Sequence, residues 1–324
     1  MKTATSTSRT EQMSVQEAPV AVLLLAYGGP LSLDDVEPYL LDVRGGRPTP
    51  PELVEEVKER YALIGGRSPL LDNTLAQARA LESWLHQHVG SHFRTFVAMR
   101  HWHPYIREVV PQILAQGYRR IIAIPMAPHY SRMSIGAYKR ALDDALEHVG
   151  LPVEVRFVDR WGDHPGFIRA VANKVQEALE RFPKTVRPEV AVIFTAHSLP
   201  QKVIERGDPY HEELVRSASL VAERVGLQRW HFAYQSAGAS NVPWLGPDVS
   251  EVVSDLANQN VRHILVVPIG FVCDHVEILY DIDIELRQHA ERLGVHLERT
   301  ASLNDDPTFI ETLGQLVVEH NRFA

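Results

Sequence analysis

The chain has 324 residues, 45% hydrophobic and 23% charged, which is long enough for about two domains and excludes a largely disordered protein. Its 41 acidic and 33 basic residues give a net charge of -8, so no general positive field attracts nucleic acid or an anionic membrane. The single cysteine, Cys273, excludes an internal disulfide, a zinc site made of several cysteines and an iron–sulfur cluster. A reducing cytoplasm is the expected setting.

The first residues of the chain are polar and carry no secretion signal. Met1 to Pro19 are rich in Ser, Thr, Gln and Glu, which predicts a disordered leader over residues 1–19. The longest apolar run, Val20 to Ala26, is far shorter than the roughly 18 apolar residues that a membrane helix needs. We therefore expect no integral membrane segment.

From Val20 onward, short β-branched runs alternate with longer stretches of helical period. This pattern predicts an α/β fold with parallel sheets flanked by helices. Between two such runs, Asn73 to Val89 repeats apolar residues every three or four positions, which predicts an amphipathic helix. The predicted strands, in chain order, are Val20 to Leu25, Arg94 to Met99, Arg120 to Pro125, Val153 to Val158, Val190 to Thr195, His231 to Tyr234 and Arg262 to Pro268.

The two halves of the chain contain a weak internal repeat. VAVLLLAYGGP (Val20 to Pro30) aligns with VAVIFTAHSLP (Val190 to Pro200), and two further pairs follow in the same order. The repeat predicts two similar lobes, residues 20–182 and 188–324, with a ligand cleft where the carboxyl ends of their sheets face each other. The alternative is that α/β strands resemble one another only in composition. The further pairs are Arg119 to Ser131 with Val261 to Cys273, and Trp161 to Leu179 with Leu303 to His320.

Each of the two leading repeats ends its strand with a polar residue, Tyr27 in the first half and His197 in the second. Ligands of open α/β sheets bind beyond the carboxyl ends of the strands, so both side chains are expected to face the same cleft. A histidine in such a place is also compatible with a purely structural role.

Three acidic residues follow the last predicted strand at intervals of four. Glu277, Asp281 and Glu285 form one stripe on an α-helix, and like charges at that spacing repel one another. A solvated acidic face is the simpler interpretation. Because Glu277 comes directly after an apolar strand and turn, the stripe also fits a path for a divalent cation, and His with carboxylates suits iron, zinc or cobalt.

Other ligand classes find little support in the sequence. Tyr27-Gly28-Gly29-Pro30 lacks the third spaced glycine of a dinucleotide-binding loop, and no GxxxxGK[ST] segment occurs. Ser198 and Ser236 lack the GxSxG frame of a serine nucleophile.

At nine places the chain resembles the ferrochelatases, which insert ferrous iron into a porphyrin. The blocks occur in family order between Val20 and His320, and the resemblance implies two Rossmann-like lobes with a porphyrin cleft between them. The matching blocks are LAYGGP (25–30), RYALIGGRSPL (60–70), AMRHWHP (98–104), APHYS (127–131), TAHSLP (195–200), GDPY (207–210), YQSAG (234–238), PWLGPD (243–248) and GFVCDHVE (270–277).

The resemblance also implies roles for the acidic and histidine residues. His197 and Glu277 match the pair that faces the centre of the macrocycle in the family and takes part in metal delivery and removal of the pyrrole protons. Asp281 and Glu285 match an outer metal site, so the implied metal-binding set is His197, Glu277, Asp281 and Glu285. Fe(II) is the substrate here, and no cofactor and no iron–sulfur cluster are expected.

Porphyrin contacts are implied at Tyr27, Arg44, Arg60 and Ser68. A tyrosine at position 27 is typical of the subgroup that acts on coproporphyrin III. This porphyrin has four propionates and protoporphyrin IX has two, so cationic anchors around the rim should favour coproporphyrin III. Surface ion pairs are the alternative role for Arg44 and Arg60. Gly45 follows Arg44 where relatives carry consecutive arginines, which leaves the propionate contacts open.

Coproporphyrin III and Fe(II) are thus the expected partners, with a monomeric, cytoplasmic enzyme. The alternatives are a chelatase for protoporphyrin IX or sirohydrochlorin, and a carrier that binds a tetrapyrrole or metal without turnover. A secondary, structural role is expected for His101.

Overall fold

A computed structural model describes residues 18–147, 149–238 and 242–322, and it contains two lobes in sequence. Most of the predicted leader, residues 1–17, lies outside the described residues. The first lobe is built from β1 (Val20–Ala26), α1 (Val36–Val43), α2 (Pro51–Leu63), α3 (Leu70–His88), β2 (Phe93–Met99), α4 (Ile106–Ala115), β3 (Arg120–Pro125), α5 (Ile135–Glu147), β4 (Glu154–Phe157) and α6 (Pro165–Glu180).

The second lobe follows after a short 3-10 turn at Arg187–Glu189. Its elements are β5 (Ala191–His197), α7 (Gln201–Glu205), α8 (Tyr210–Val225), β6 (Trp230–Gln235), α9 (Val249–Asn258), β7 (His263–Val267), α10 (Val276–Leu279), a π-helical segment (Asp281–Leu286), α11 (Arg287–Arg292), β8 (His296–Arg299) and α12 (Pro307–His320).

The two sheets have the same strand order. It is β2-β1-β3-β4 in the first lobe and β6-β5-β7-β8 in the second, and every pairing is parallel. All seven residues of β1 are buried, as expected for a central strand covered by helices on both faces. This repetition confirms the predicted fold of two similar α/β lobes.

The sequence analysis missed β8, the strand at one edge of the second sheet. Its four residues, His296–Arg299, are mostly polar, and only Leu297 is buried. A short edge strand of this kind lacks the apolar run that marked the other strands.

One helical prediction is confirmed with shifted ends, and one is wrong. The predicted helix Asn73 to Val89 is α3, Leu70–His88. Two of the apolar residues in the predicted range, Leu75 and Val89, are exposed. The acidic stripe does not lie on one α-helix, because the backbone changes to π-helical hydrogen bonding between Asp281 and Leu286. In this segment the Glu285 amide donates to the Tyr280 carbonyl, five residues earlier, at 2.9 Å.

The two lobes pack tightly on each other. Helix α12 of the second lobe lies on α3 at Gly314, where a Cβ atom would come within 2.2 Å of the Trp84 ring. The buried carboxylate of Asp208 accepts a hydrogen bond from the Arg132 amide at 2.8 Å, across the lobes. The limits of the lobes at 182 and 188 stay a prediction, since α6 itself packs on α8.

Among the described residues, no helix combines the length and the apolar character needed to cross a membrane.

The loop that leads from β7 to Glu277 contains Gly270, which packs against the end of β5. A Cβ atom on this glycine would lie 2.6 Å from Cβ of Ala196 and 3.0 Å from its Cα. We expect Gly270→Ala to lower the free energy of unfolding by about 1–3 kcal/mol, because one of the two segments must shift. Denaturant unfolding measures the loss.

The matched control is Gly136→Ala in α5, where the nearest atom to an added Cβ is 3.5 Å away and alanine favours the helix. Equal stability of the Gly270→Ala protein and the wild type would contradict the tight contact.

Candidate active site

The predicted site residues lie at or beyond the carboxyl ends of the central strands. Tyr27 directly follows β1, and His197 is the last residue of β5. Loop 268–275 leaves β7 and leads into α10 and the π-helical segment, which carry Glu277 and Asp281. The parallel order of both sheets therefore brings the two halves of the repeat to the same cleft.

His197 and Glu277 form a hydrogen-bonded pair. His197 Nδ1 lies 2.9 Å from Oε2 of Glu277, and about a third of each side chain is exposed. Burial raises the pKa of Glu277, but the charge and hydrogen bond of His197 lower it to about 2, so Glu277 is a carboxylate. The carboxylate can only accept, so Nδ1 carries the proton and Nε2 is left for another partner.

Burial also acts on His197, where it lowers the pKa. The negative charge of Glu277 and its hydrogen bond outweigh burial, with a smaller contribution from Asp281, and the pKa of His197 is raised above its usual value. The pair is thus a stronger base than an isolated imidazole, and its protonated form is stabilised by the carboxylate.

Two more side chains of the same lobe lie beside Glu277. Gln235, at the end of β6, donates from Nε2 to the Glu277 backbone carbonyl at 2.7 Å. His275 Nε2 is 4.0 Å from the Glu277 carboxylate, while its Nδ1 lies 3.1 Å from the Cys273 carbonyl oxygen. Burial lowers the pKa of His275, so this imidazole stays neutral beside the charged pair.

Asp281 lies one turn beyond Glu277 and accepts a short hydrogen bond from the Ser236 hydroxyl. Burial raises the pKa of Asp281 to about 6, and the nearby Glu277 charge adds to this rise. Arg60 reaches over from the first lobe, with Nη1 3.9 Å from Asp281 and its guanidinium 5.1 Å from the centre of the Tyr280 ring.

A cavity of about 430 Å³ opens beside the acidic residues, and its lining includes Arg60, Asp281, Glu285 and His289. In the described part of the chain, no three His, Cys, Asp or Glu side chains converge closely enough to hold a metal ion. The predicted metal-binding residues thus do not form a closed cage in the described part of the chain.

On the first lobe, Tyr27 lies beside His101, with their ring centres 4.7 Å apart. Burial, with a contribution from the Glu277 charge, raises the pKa of Tyr27 to about 12, so its phenol is protonated near neutral pH. His101 Nδ1 lies 2.7 Å from Asp42, which also accepts from the Tyr105 hydroxyl at 3.2 Å. These contacts agree with a structural role for His101.

The predicted rim residues differ in their surroundings. Arg44 is partly buried, and its Nε has no hydrogen-bond partner. Arg60 binds Glu56 at 2.6 Å through Nη2, but its buried Nε also has no partner. Ser68 is buried, and its Oγ accepts from the Leu70 amide at 3.3 Å, so its hydroxyl faces the protein in this state.

A groove of about 470 Å³ between α3 and β2 is separate from this site. Its lining includes Arg79, Glu82 and Arg94, and none of the predicted site residues. The hydrogen bonds of Glu82 to the Thr95 amide and to Arg94 already satisfy its carboxylate.

The sequence analysis assigned no role to four residues that the structure brings to the pair: Gln235, Ser236, Trp244 and His275. Trp244 stands edge-on to His197, with ring centres 6.5 Å apart. All four occur in the blocks YQSAG, PWLGPD and GFVCDHVE, so their membership of the matching blocks was the available signal.

The family model described as Ferrochelatase matches residues 19–321. The chain belongs to the ferrochelatase family. A relative named ferrochelatase, from Herpetosiphon aurantiacus, is 45% identical over 300 residues, covering 93% of this chain and 98% of the relative. A relative named coproporphyrin III ferrochelatase, from Geobacillus thermodenitrificans, is 38% identical over 302 residues, covering 93% and 95%.

Solved structures with lower sequence identity share the fold of this ferrochelatase. SirB from Bacillus subtilis with Fe3+ has a TM-score of 0.59 at 13% identity, and the match covers 93% of this chain and 95% of SirB. DR2241 from Deinococcus radiodurans, a multi-domain protein with structural similarity to chelatases, has a TM-score of 0.56 at 13% identity over 95% of this chain and 56% of DR2241. The chain is thus a metal chelatase by family, and these structures share its fold.

The hydrogen bond between His197 and Glu277 makes a testable prediction about titration. We expect the imidazole pKa of His197 to lie above 6.5 in the wild type and to fall in Glu277→Gln, because the amide removes the charge that favours the imidazolium. Histidine NMR titrations measure both values, with His197→Ala identifying the resonance. The control Glu319→Gln, whose partner is His164, leaves the His197 pKa unchanged. An unchanged His197 pKa in Glu277→Gln would contradict the coupling.

Proposed function

We propose that this ferrochelatase inserts Fe(II) into coproporphyrin III and so produces coprohaem. The observation that carries the choice of porphyrin is Tyr27, which follows β1 in the position that His197 occupies in β5. The resemblance places a tyrosine there in the subgroup that acts on coproporphyrin III. The similarity to the Geobacillus relative of that name supports the same choice.

The rim arginines support a substrate with several carboxylates. The Nε groups of Arg44 and Arg60 are buried and have no hydrogen-bond partner, which is unfavourable unless a ligand supplies an acceptor. A propionate satisfies such a donor and can bind a guanidinium through two parallel hydrogen bonds. Coproporphyrin III offers four propionates, so it can occupy more of these donors than protoporphyrin IX.

His197 and Glu277 are proposed to remove the protons of the pyrrole nitrogens. With the Nδ1 proton donated to Glu277, the Nε2 lone pair of His197 is the acceptor, and the carboxylate stabilises the imidazolium that forms.

Asp281 and Glu285 are proposed to lead the metal ion toward this pair. Both line the cavity beside the π-helical segment, and their carboxylate oxygens suit a divalent cation that is still partly hydrated. Because the pKa of Asp281 is raised to about 6, a proton competes with the metal ion at this position in mildly acidic solution.

The cleft must also make the porphyrin nitrogens accessible. A flat free-base ring directs its lone pairs at its own centre, so bending the ring exposes a nitrogen to the incoming ion. Binding of the propionates at the rim can supply the free energy for this distortion.

We expect His197→Ala to abolish iron insertion while coproporphyrin III still binds, because the rim contacts come from other residues. Anaerobic visible spectra follow the loss of the free-base bands, and quenching of tryptophan fluorescence follows binding. His88→Ala, on the outer face of α3, keeps full activity as the control. Turnover of His197→Ala near the wild-type rate would remove His197 from the mechanism.

Substrate choice is tested by comparing the two porphyrins. We expect a higher kcat/KM for coproporphyrin III than for protoporphyrin IX. Arg44→Met should lower the first value roughly tenfold, the worth of one charge-assisted hydrogen bond, and the second value less. Arg79→Met, in the groove beside β2, is the control.

Equal or higher kcat/KM for protoporphyrin IX would contradict the proposed substrate and leave the chelatase reaction intact. Free-base bands that persist with both porphyrins after Fe(II) is added would identify a carrier instead.

A further inference from the structure

The segment that carries Glu277 and Asp281 has an uncommon backbone. After the single turn of α10, the carbonyl of Tyr280 accepts from the amides of both Ile284 and Glu285, at 3.1 and 2.9 Å. π-Helical hydrogen bonding is rare and occurs mostly in single turns, so contacts outside the segment are needed to keep it. A change to ordinary α-helical bonding would rotate Asp281 relative to Glu277.

Arg299 supplies such a contact from the carboxyl end of β8. Its Nε and Nη2 donate to the two oxygens of Asp283 at 2.8 and 2.7 Å, which is a bidentate ion pair. The pair is largely shielded from water, with 12% of the Arg299 side chain and 25% of the Asp283 side chain exposed. Residues two apart on a helix do not share a face, so Asp283 points to β8 while Asp281 points to Ser236.

The same arginine also reaches the start of the segment. Its Nη1 lies 3.4 Å from Oδ1 of Asp274, three residues before Glu277. Asp274 is held on the same side by the Ser302 hydroxyl at 2.6 Å and by the Asn304 side chain, which accepts from its amide at 2.9 Å. The Arg299 guanidinium, at the end of β8, therefore contacts both Asp274, which precedes α10, and Asp283, which lies in the π-helical segment.

The first lobe holds this region from the other side. Asn73 Nδ2 donates to the Asp274 carbonyl at 2.9 Å, and the fully buried Gln77 donates to the Asn304 carbonyl at 2.9 Å. Both donors lie on α3, so the start of the segment is fixed between the lobes. Its π-helical end is held within the second lobe by Arg299 through Asp283, by the Ser236 hydroxyl on Asp281, and by the burial of Ile282 and Leu286.

We propose that Arg299 is a positioning residue for iron insertion. By binding Asp283 and Asp274, it keeps the π-helical segment in the geometry that directs Glu277 to His197 and Asp281 to the metal path. This inference rests on the roles proposed above for those two carboxylates. Arg299 itself contacts neither substrate.

The test compares Arg299→Met and Arg299→Lys with the wild type. We expect Arg299→Met to lower kcat/KM for Fe(II) about tenfold or more, the usual effect of removing a group that orients metal ligands. The dissociation constant of the porphyrin should change much less, because Arg44 of the rim belongs to the first lobe and lies outside this segment. Arg299→Lys keeps the charge but not the two parallel hydrogen bonds, so its loss is intermediate.

A matched control separates positioning from general stability. Arg187→Met also removes a partly buried arginine, one that donates to the Phe182 and Glu180 carbonyls at 2.9 and 2.7 Å, far from the segment. We expect Arg187→Met to keep wild-type kinetics for Fe(II), even if its thermal stability is lower. If Arg299→Met does not fold, the measurement is made on Arg299→Lys and on Asp283→Asn.

A double-mutant cycle gives the sharper readout. Arg299→Met and Asp283→Asn should lower kcat/KM for Fe(II) to similar extents, and the double variant should be no worse than either single one. Independent, multiplying losses would overturn the proposal, as would an Arg299→Met protein with wild-type kinetics for Fe(II). A wild type that fails to insert iron would instead contradict the proposed function, so the two failures are distinguishable.

Discussion

The site depends on one hydrogen-bonded pair between residues that are 80 positions apart in the chain, His197 and Glu277. Each side chain is partly shielded from water, where a lone charge is unfavourable and a paired one is tolerated. Pairing keeps Glu277 ionised and gives His197 a stronger affinity for a proton. The surrounding contacts hold the two residues in position: Gln235 donates to the backbone carbonyl of Glu277, and His197 is the last residue of β5.

His197 and Glu277 both belong to the second lobe, so the cleft also depends on how the first lobe is joined to it. The packing of α12 on α3 and the hydrogen bond from the Arg132 amide to the Asp208 carboxylate join the lobes. On the cleft side, Arg60 of the first lobe approaches Asp281 of the second. The residue proposed above to bind substrate carboxylates, Arg60, thus also lies beside a residue of the proposed metal path.

Much of this arrangement was predictable because strong local signals agreed with one another. Apolar runs marked the strands, and the repeat placed Tyr27 and His197 at equivalent strand ends, which the matching sheet orders confirm. Weak local signals failed. Strand β8, which carries Arg299, was missed because it is short and polar. The acidic residues were expected on one α-helix, although part of their segment is π-helical. The porphyrin-binding and metal-binding roles of the predicted residues stay predictions.

The sequence by itself determined the class of fold, the family and the chemical types of the groups at the strand ends, because periodicity and short motifs are local properties. Only the tertiary structure decided that Glu277 pairs with His197, that Asp281 is bound by Ser236, and that Arg299 holds the far side of the segment. These contacts join residues that are distant in the chain. Their geometry depends on sheet order and lobe packing, which no local pattern of residues encodes.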